Sequence, residues 1–462
     1  MKRCLPMLLL PVFAFAVYDS ELFSVNDWRL GFFNTGIFAT NVTADTLGQW
    51  RGHDYLFGAG PWFGCIAGSD TTVTAAYDPN SGGSGMFPTL TRYRADGSGN
   101  RKDRIYAWWR DWPPPADRFP MAPDAGISTL DLWCCYSDSD PNQTLWPRPP
   151  AGVDFVQTVY GYNYPLARDV VFLHYEIFNV GSTPLESCYF GLVADPDLGD
   201  ATDDMTGLVL DRVFAVGPDT FAVRNAGFAF DSDNREFASE DTWTPGAVCF
   251  KMFYPATLSA FKRFTIDFDP RDDAQRYLAM AGFDYRTGAY APFDSTDDAG
   301  ADKRFLMAAG PFGLEPESLA EFWFAVIGSP YGTWGQAPPE RDISDLALRC
   351  YWSDGIFDEV FAPIVGSHRP RLKPRPLIAP NPFTDYATVT LDLDEASDVD
   401  LVAVDVTGRI VRVLQRGVLE PGRHMVRWDG TADGGSKLSR GVYFIRLRIP
   451  GQELDLKTIL AR

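Results

Sequence analysis

Five aspartates fall within ten residues in the stretch Asp195-Pro196-Asp197-Leu198-Gly199-Asp200-Ala201-Thr202-Asp203-Asp204. Carboxylates this close repel one another unless water or a cation neutralises them. Asp-x-Asp spacing turns alternate side chains toward one point, and calcium collects roughly six to eight oxygen ligands. Asp231-Ser232-Asp233 repeats the spacing and completes the same site if its strand ends next door. Asp195, Asp197, Asp200, Asp203, Asp204, Asp231 and Asp233 therefore form a candidate structural Ca2+ site. The run is not an EF-hand loop, because glycine occupies a ligand position and Thr206 stands where that loop needs a bidentate Glu. A solvated acidic loop is the other reading, and the sequence leaves both open. Asp138-Ser139-Asp140 reads as a turn.

A second chemical feature is aromatic. Trp108-Trp109-Arg110-Asp111-Trp112 is followed by three prolines. Flat aromatic faces bind pyranose rings, so Trp108, Trp109 and Trp112 are candidate glycan-stacking residues; equally, they can cap a core, since Trp is well buried on average. Catalytic groups are scarcer. The four histidines are His53, His174, His368 and His424, and no Gly-x-Ser-x-Gly elbow, His-Glu-x-x-His or phosphate-binding glycine loop accompanies them. His174 reads as a paired surface residue. A carboxylate pair for glycoside cleavage is available in any chain with 61 acids. The expectation is a protein without enzymatic activity.

These residues need a scaffold. The chain of 462 residues is 45% hydrophobic and 14% aromatic, with 41 Gly and 35 Pro and few stretches of helical period. That composition predicts an all-β protein with many turns. Lys2 and Arg3, the apolar run Leu5–Phe15 and Ala14-Phe15-Ala16 predict a signal peptide over 1–16, with no transmembrane segment after its cleavage. Six cysteines then remain, and an even number in an exported chain permits three disulfides of undefined connectivity; one or two are expected, several of the cysteines being equally readable as buried thiols. The net charge of −20 excludes nucleic acid as a partner, since phosphates need a basic surface.

Strand patterning divides the chain. Residues 17–150 form an N-terminal β region. Residues 151–365 form a β-sandwich region, in which Val171, Leu173, Tyr175 and Ile177 alternate with Phe172, His174 and Glu176. Phe322–Ile327 is almost continuously apolar and predicts a central strand. Ile343, Leu346, Ala347 and Cys350 predict a short helix over 342–351. The basic, proline-rich stretch 366–380 reads as a semi-rigid linker. From Asn381 on, 12 acids meet 11 bases, so the negative charge belongs to the earlier part.

In the last segment, 381–462, Ala387, Val389 and Leu391 alternate with polar residues. Asn381-Pro382, Asp405 with Gly408, Trp428 with Gly430, and Gly441 with Tyr443 follow in order. This succession resembles the FlgD-type immunoglobulin-like domain, which overlaps the type A sorting domain of the type IX secretion system. The resemblance implies a C-terminal immunoglobulin-like sandwich and the type IX machinery as partner, for secretion or surface attachment. The body, through Tyr55–Gly60, Ala194–Gly199, Asp302–Phe305 and Gly310-Pro311-Phe312, resembles exported bacterial β proteins ending in this type of domain, which implies architecture alone.

The reading is an all-β protein with a body of one or two sandwiches and an immunoglobulin-like C-terminal sandwich. It is expected to be secreted or held at the outer-membrane surface, in a structural or adhesive role toward surface glycans or other surface proteins. The alternative is a secreted glycan-binding protein or a carboxylate-based glycoside hydrolase.

Overall fold

The fold is that of a computed structural model, which describes residues 18–40, 48–67, 70–88, 103–116, 119, 121–139, 150–216, 219–232, 245–297, 299–330, 343–365, 377–379, 383–393, 396–420, 422–450 and 452–461. The expected signal peptide, most of the 366–380 linker, Asp140, Asp233, Asn381 and Pro382 lie outside these residues. The chain divides into two units, Met1–Trp112 with Ala125–Val365, and Pro113–Asp124 with Gly366–Arg462.

The first unit is one sandwich of two eight-stranded sheets. One sheet runs β1 (Ser20–Phe23), β2 (Trp28–Phe33), β3 (Gly48–Trp50), β4 (His53–Ala67), β10 (Leu185–Pro196), β15 (Lys303–Leu314) and β14 (Ala260–Thr265), with β5 (Asp70–Ala75) also on β4. The other runs β11 (Asp204–Val216), β12 (Asp219–Asp231), β13 (Ala247–Tyr254), β16 (Leu319–Ser329), β9 (Val170–Asn179), β8 (Val153–Gly161), β7 (Leu130–Ser137) and β6 (Tyr106–Ala107). Both sheets draw strands from 17–150 and from 151–365, so those two regions share a single core.

The alternation read from the sequence explains that core. Val171, Leu173, Tyr175 and Ile177 face the opposite sheet, as period-two geometry requires. Phe63 on Phe155, Phe190 on Tyr175 and Phe250 on Phe305 join the sheets, with ring centroids 6.2, 5.2 and 5.4 Å apart. β16 lies between β13 and β9, which is why Phe322–Ile327 reads as continuously apolar: both of its faces are buried.

Each sheet also buries part of its outer face. The helix expected over 342–351 spans Ser344–Ile356 (α2) and continues through a π-turn at Phe357–Phe361. Its extension follows from Ile356, Phe357 and Phe361, which carry the apolar stripe onward. Phe361 packs on Tyr160, Phe172 and Trp323 at 4.8–5.0 Å. A second helix, α1 (Asp273–Met280), covers the other sheet, setting Ala279 and Met280 beside Trp62, Leu306 and Ala308. Asp272 caps it by accepting from the Gln275 amide at 2.9 Å. Among the described residues no helix is long and apolar enough to cross a membrane.

The second unit contains an immunoglobulin-like sandwich. Strands β17 (Leu377–Ala379), β18 (Ala387–Leu393) and β21 (Gly422–Trp428) make one sheet. Strands β20 (Ile410–Leu419), β19 (Ser397–Asp405), β22 (Gly441–Ile449) and β23 (Gln452–Leu460) make the other. Ala387, Val389 and Leu391 are buried as their alternation predicts, against Leu401, Ala403, Ile445 and Leu447.

Candidate functional site

The acidic run begins where β10 ends. Asp195 lies on the outer face of its sheet, and the structure gives it an internal cation that sequence reading missed. Arg304 Nε is 2.9 Å from Asp195 Oδ1, Arg304 Nη1 is 2.9 Å from Asp302, and Asp269 stands 3.8 Å from the same guanidinium. The Tyr77 hydroxyl donates to Asp195 Oδ2 at 2.5 Å. Burial pushes Asp195 up to about 6 against the pull of Arg304 and Tyr77, and pushes Asp269 up to about 7 against Arg304. Asp195 is thus paired from within the protein, with Arg304 on one oxygen and Tyr77 on the other. The available signal was a charged pair, Lys303-Arg304, at the head of the otherwise apolar strand β15.

The rest of the run makes its own contacts. Asp200 caps the 3₁₀ turn Ala201–Asp203, accepting from the Thr202 amide at 3.1 Å and hydroxyl at 2.7 Å. These bonds hold its carboxyl below the usual range. Asp203 accepts from Ser232 at 2.5 Å, and Gly300 lies so close that a Cβ there would meet its backbone at 2.7–2.9 Å. Asp204 and Asp231 form the first rung of the β11–β12 ladder, directly opposite one another, and both are fully buried.

Like charges facing across a rung destabilise a sheet. Burial, reinforced by the charges of Asp197, Asp231 and Asp203, holds the Asp204 carboxyl well above the usual range, opposed by the Leu198 amide 3.3 Å from Oδ2. Asp204 Oδ1 is sealed from solvent without a hydrogen-bond partner among the described residues. Asp197 is raised by burial and by the charges of Asp302 and Asp54. Among the described residues no three His, Cys, Asp or Glu side chains are already gathered as a metal shell.

The aromatic run does not make a row. Trp108 and Trp112 are half-buried and meet edge to face at 6.0 Å and 88°. Trp109 alone stands out, 75% exposed, on a backbone with φ of 58°. A non-glycine residue in that region is costly and persists only where its surroundings fix it. Here Asp111 accepts from the Ala107 amide at 2.7 Å and pairs with Arg104 at 2.7 Å, while Glu21 clasps Arg110 through two hydrogen bonds of 3.0 and 2.8 Å. The Trp109 indole donates to Thr129 O at 3.4 Å. In the adjoining loops Tyr162 donates to Ile127 O at 3.0 Å and packs against the exposed Tyr164 at 5.3 Å.

His174 proves buried. Its Nε2 is 2.9 Å from Glu321, its ring stacks on Trp323 at 4.0 Å, and the Trp323 indole donates to the same carboxylate at 2.7 Å. Glu176 faces Glu321 across the β9–β16 pair. Both partners of the Glu321 Oε1 atom hold it in place, which suits a structural clamp under α2 better than acid–base work.

In the C-terminal unit the motif residues make turns and core. Asp405 accepts from the Thr407 amide, the Thr407 hydroxyl and the Arg409 amide at 2.9, 2.6 and 3.1 Å, closing a turn in which Gly408 takes φ of 82°. Trp428 is buried between Phe383 and Tyr443, at 5.4 and 5.5 Å, and its indole donates to Thr431 O at 3.1 Å. Tyr443 donates to Ser439 O at 2.8 Å. Gly430 has φ of 66°, and Gly441 opens β22.

No curated protein matches the chain. Among solved structures, a polysaccharide lyase is 8% identical over 96% of this chain and 46% of its own, with a TM-score of 0.25. The Slr1438 protein of Synechocystis sp. is 10% identical over 68% of this chain and 96% of its own, with a TM-score of 0.29. Dimeric latent PorU of Porphyromonas gingivalis is 12% identical over 96% of this chain and 34% of its own, with a TM-score of 0.17. The chain thus spans under half the length of the lyase and about a third of PorU. Superpositions this loose carry no functional argument. Residues 381–448 match the family model of the FlgD Ig-like domain, and they lie within the C-terminal sandwich described above.

Proposed function

We propose that the chain is an exported bacterial surface protein whose C-terminal module is the handle by which type IX-type machinery secretes or attaches it. The observation that carries this is the FlgD Ig-like match at 381–448, on a sandwich with its own core of Trp428, Tyr443 and the β18, β19 and β22 side chains. The signal-like residues 1–16 and the acidic body support it. The body serves as a structural or adhesive element, and its two helical covers bury part of the outer side of each sheet. Fusing residues 366–462 to a reporter exported only as far as the periplasm, in a type IX-competent bacterium, tests the handle: display of the reporter on intact cells supports it, and retention contradicts it.

A structural cation belongs to the same reading. Asp204 Oδ1, buried and unpartnered, would be its anchor, with Asp231 opposite and Asp197 and Asp203 drawn in; calcium suits an all-oxygen set. Asp195 is left to Arg304. A second reading, binding of a neutral glycan, is favoured by Trp109, whose exposed indole sits on a strained and braced turn. Neutral chains are preferred because an acidic body repels polyanions. Loss of polysaccharide retention in Trp109→Ala tests it.

A further inference from the structure

The six cysteines of the described residues are all thiols and all buried. Four of them are in two contacts. Cys249, on the outward side of β13, has its Sγ 3.9 Å from Cys350 Sγ on α2. Cys65 on β4 and Cys188 on β10 lie across from one another at a bulge, where the β4–β10 register slips between Glu186, opposite Ile66, and Tyr189, opposite Gly64. Both members of each pair are sealed from water. Cys134 and Cys135 differ: as neighbours on β7 they point to opposite faces, Cys134 into the sandwich core.

We propose that export converts these two contacts into disulfides, Cys65–Cys188 and Cys249–Cys350, and leaves Cys134 and Cys135 as thiols. This rests on the exported reading above, because the inner compartment keeps thiols reduced. A disulfide needs sulfurs about 2.05 Å apart, so the Cys249–Cys350 pair closes by a movement of roughly 2 Å, within reach of side-chain rotation. The oxidant is a disulfide-bearing thiol oxidase of the export compartment. One cysteine thiolate attacks the donor's disulfide to form a mixed disulfide; its partner thiolate then displaces the donor. Two thiols lose two electrons and two protons overall, and the donor gains both as a dithiol. Because all four thiols are buried in the finished fold, the reaction belongs to folding, before α2 closes over β13.

The two bonds have distinct consequences. Cys249–Cys350 pins α2 to the sheet beneath it and closes a long loop, the case in which a cross-link restrains the unfolded chain most. Cys65–Cys188 ties two neighbouring central strands at their irregular point.

The test is peptide mapping of the full chain from the exported fraction, denatured in the presence of N-ethylmaleimide and digested without reductant. Linked peptides carrying Cys65 with Cys188 and Cys249 with Cys350 are expected, with Cys134 and Cys135 alkylated. Reduction should lower Tm by roughly 5–10 °C. Cys350→Ala should abolish one link and spare the other. A link through Cys134 or Cys135, or alkylation of all six in a chain whose signal has been removed, would overturn the proposal. If the chain stays in the cytoplasm, the exported reading fails separately. Oxidative refolding of that same chain in a glutathione buffer then judges the pairing, which is wrong if any other pair dominates.

Discussion

Arg304 and Asp195 meet at 2.9 Å with both side chains almost sealed from water, and Tyr77 closes the other oxygen of the carboxylate. Removing one partner of a buried pair leaves the other charge uncompensated, at a cost of about 3–5 kcal/mol. Arg304→Met should therefore lower stability by that order in chemical denaturation, whereas the double change with Asp195→Asn should recover part of it. Equal losses in the single and double variants would contradict the pairing.

The same cluster sets a pH dependence. Asp195 and Asp138 are pushed up to about 6 and Asp269 to about 7, and Asp204 is held well above the usual carboxylate range, in each case first by burial. A carboxyl raised in the folded state binds more protons folded than unfolded, so its stabilisation is complete below the ordinary carboxylate range and is lost as pH rises through the folded value. Asp297 and Asp27 act oppositely: against burial, Lys303 and Arg263 hold the first low, and Arg168 and Arg51 the second. Their contribution is lost only as pH falls toward and below the ordinary range. The body should lose Tm between pH 5 and pH 7.5 in metal-free buffer. A Tm that rises over that interval would count against the buried acids.

Calcium should reverse the loss. In the proposed site protons and calcium would compete for Asp204, so added calcium should raise Tm at pH 7.5 more than at pH 5, by mass action on the folded state. Asp204→Asn should remove the response, while Asp195→Asn should leave it intact. Identical melting with calcium and with chelator in the unaltered protein would reduce the Asp204–Asp231 rung to a pair sharing a proton.

Much of this was legible from the residues. The alternation in Val170–Asn179, the apolar Phe322–Ile327 and the Asp405, Gly408 and Trp428 motifs each depend on neighbours in sequence, and each predicted its element or turn. What stayed hidden depends on residues brought together from far apart. Nothing near Asp195 announces Arg304, and nothing near Arg276 announces the Asp78 carboxylate 3.1 Å away that lets a buried guanidinium sit beneath α1. Helix α1 itself has a narrow apolar face, chiefly Ala279 and Met280, too small to set a period. The three tryptophans looked equivalent because spacing does not report a left-handed turn at Trp109.

That turn can be tested directly. Trp109→Gly relieves a backbone conformation that costs an L-residue about 1 kcal/mol, so it should hold or slightly raise stability. Trp108→Ala, by contrast, empties the space against Trp112 and Gly126 and should cost about 2–4 kcal/mol. If Trp109 binds glycan, Trp109→Gly also loses retention on neutral polysaccharide in affinity electrophoresis while melting normally. Unchanged retention would remove the glycan reading.

The C-terminal module should behave as a separable requirement. Trp428 is buried between Phe383 and Tyr443, and Trp428→Ala should cost about 3–5 kcal/mol, enough to unfold a small sandwich. Calorimetry should show the body's transition unchanged and the module's lost. A single transition shifted as a whole would show that the two units do not unfold independently.

The most direct measurement is the location of the full chain and of a chain ending before residue 381, each expressed in a type IX-competent bacterium and probed by protease on intact cells. The full chain should be cut at the surface or found in the medium, and the shortened chain should stay protected in the periplasm. Surface exposure of both, or protection of both, would contradict the role given to the C-terminal module.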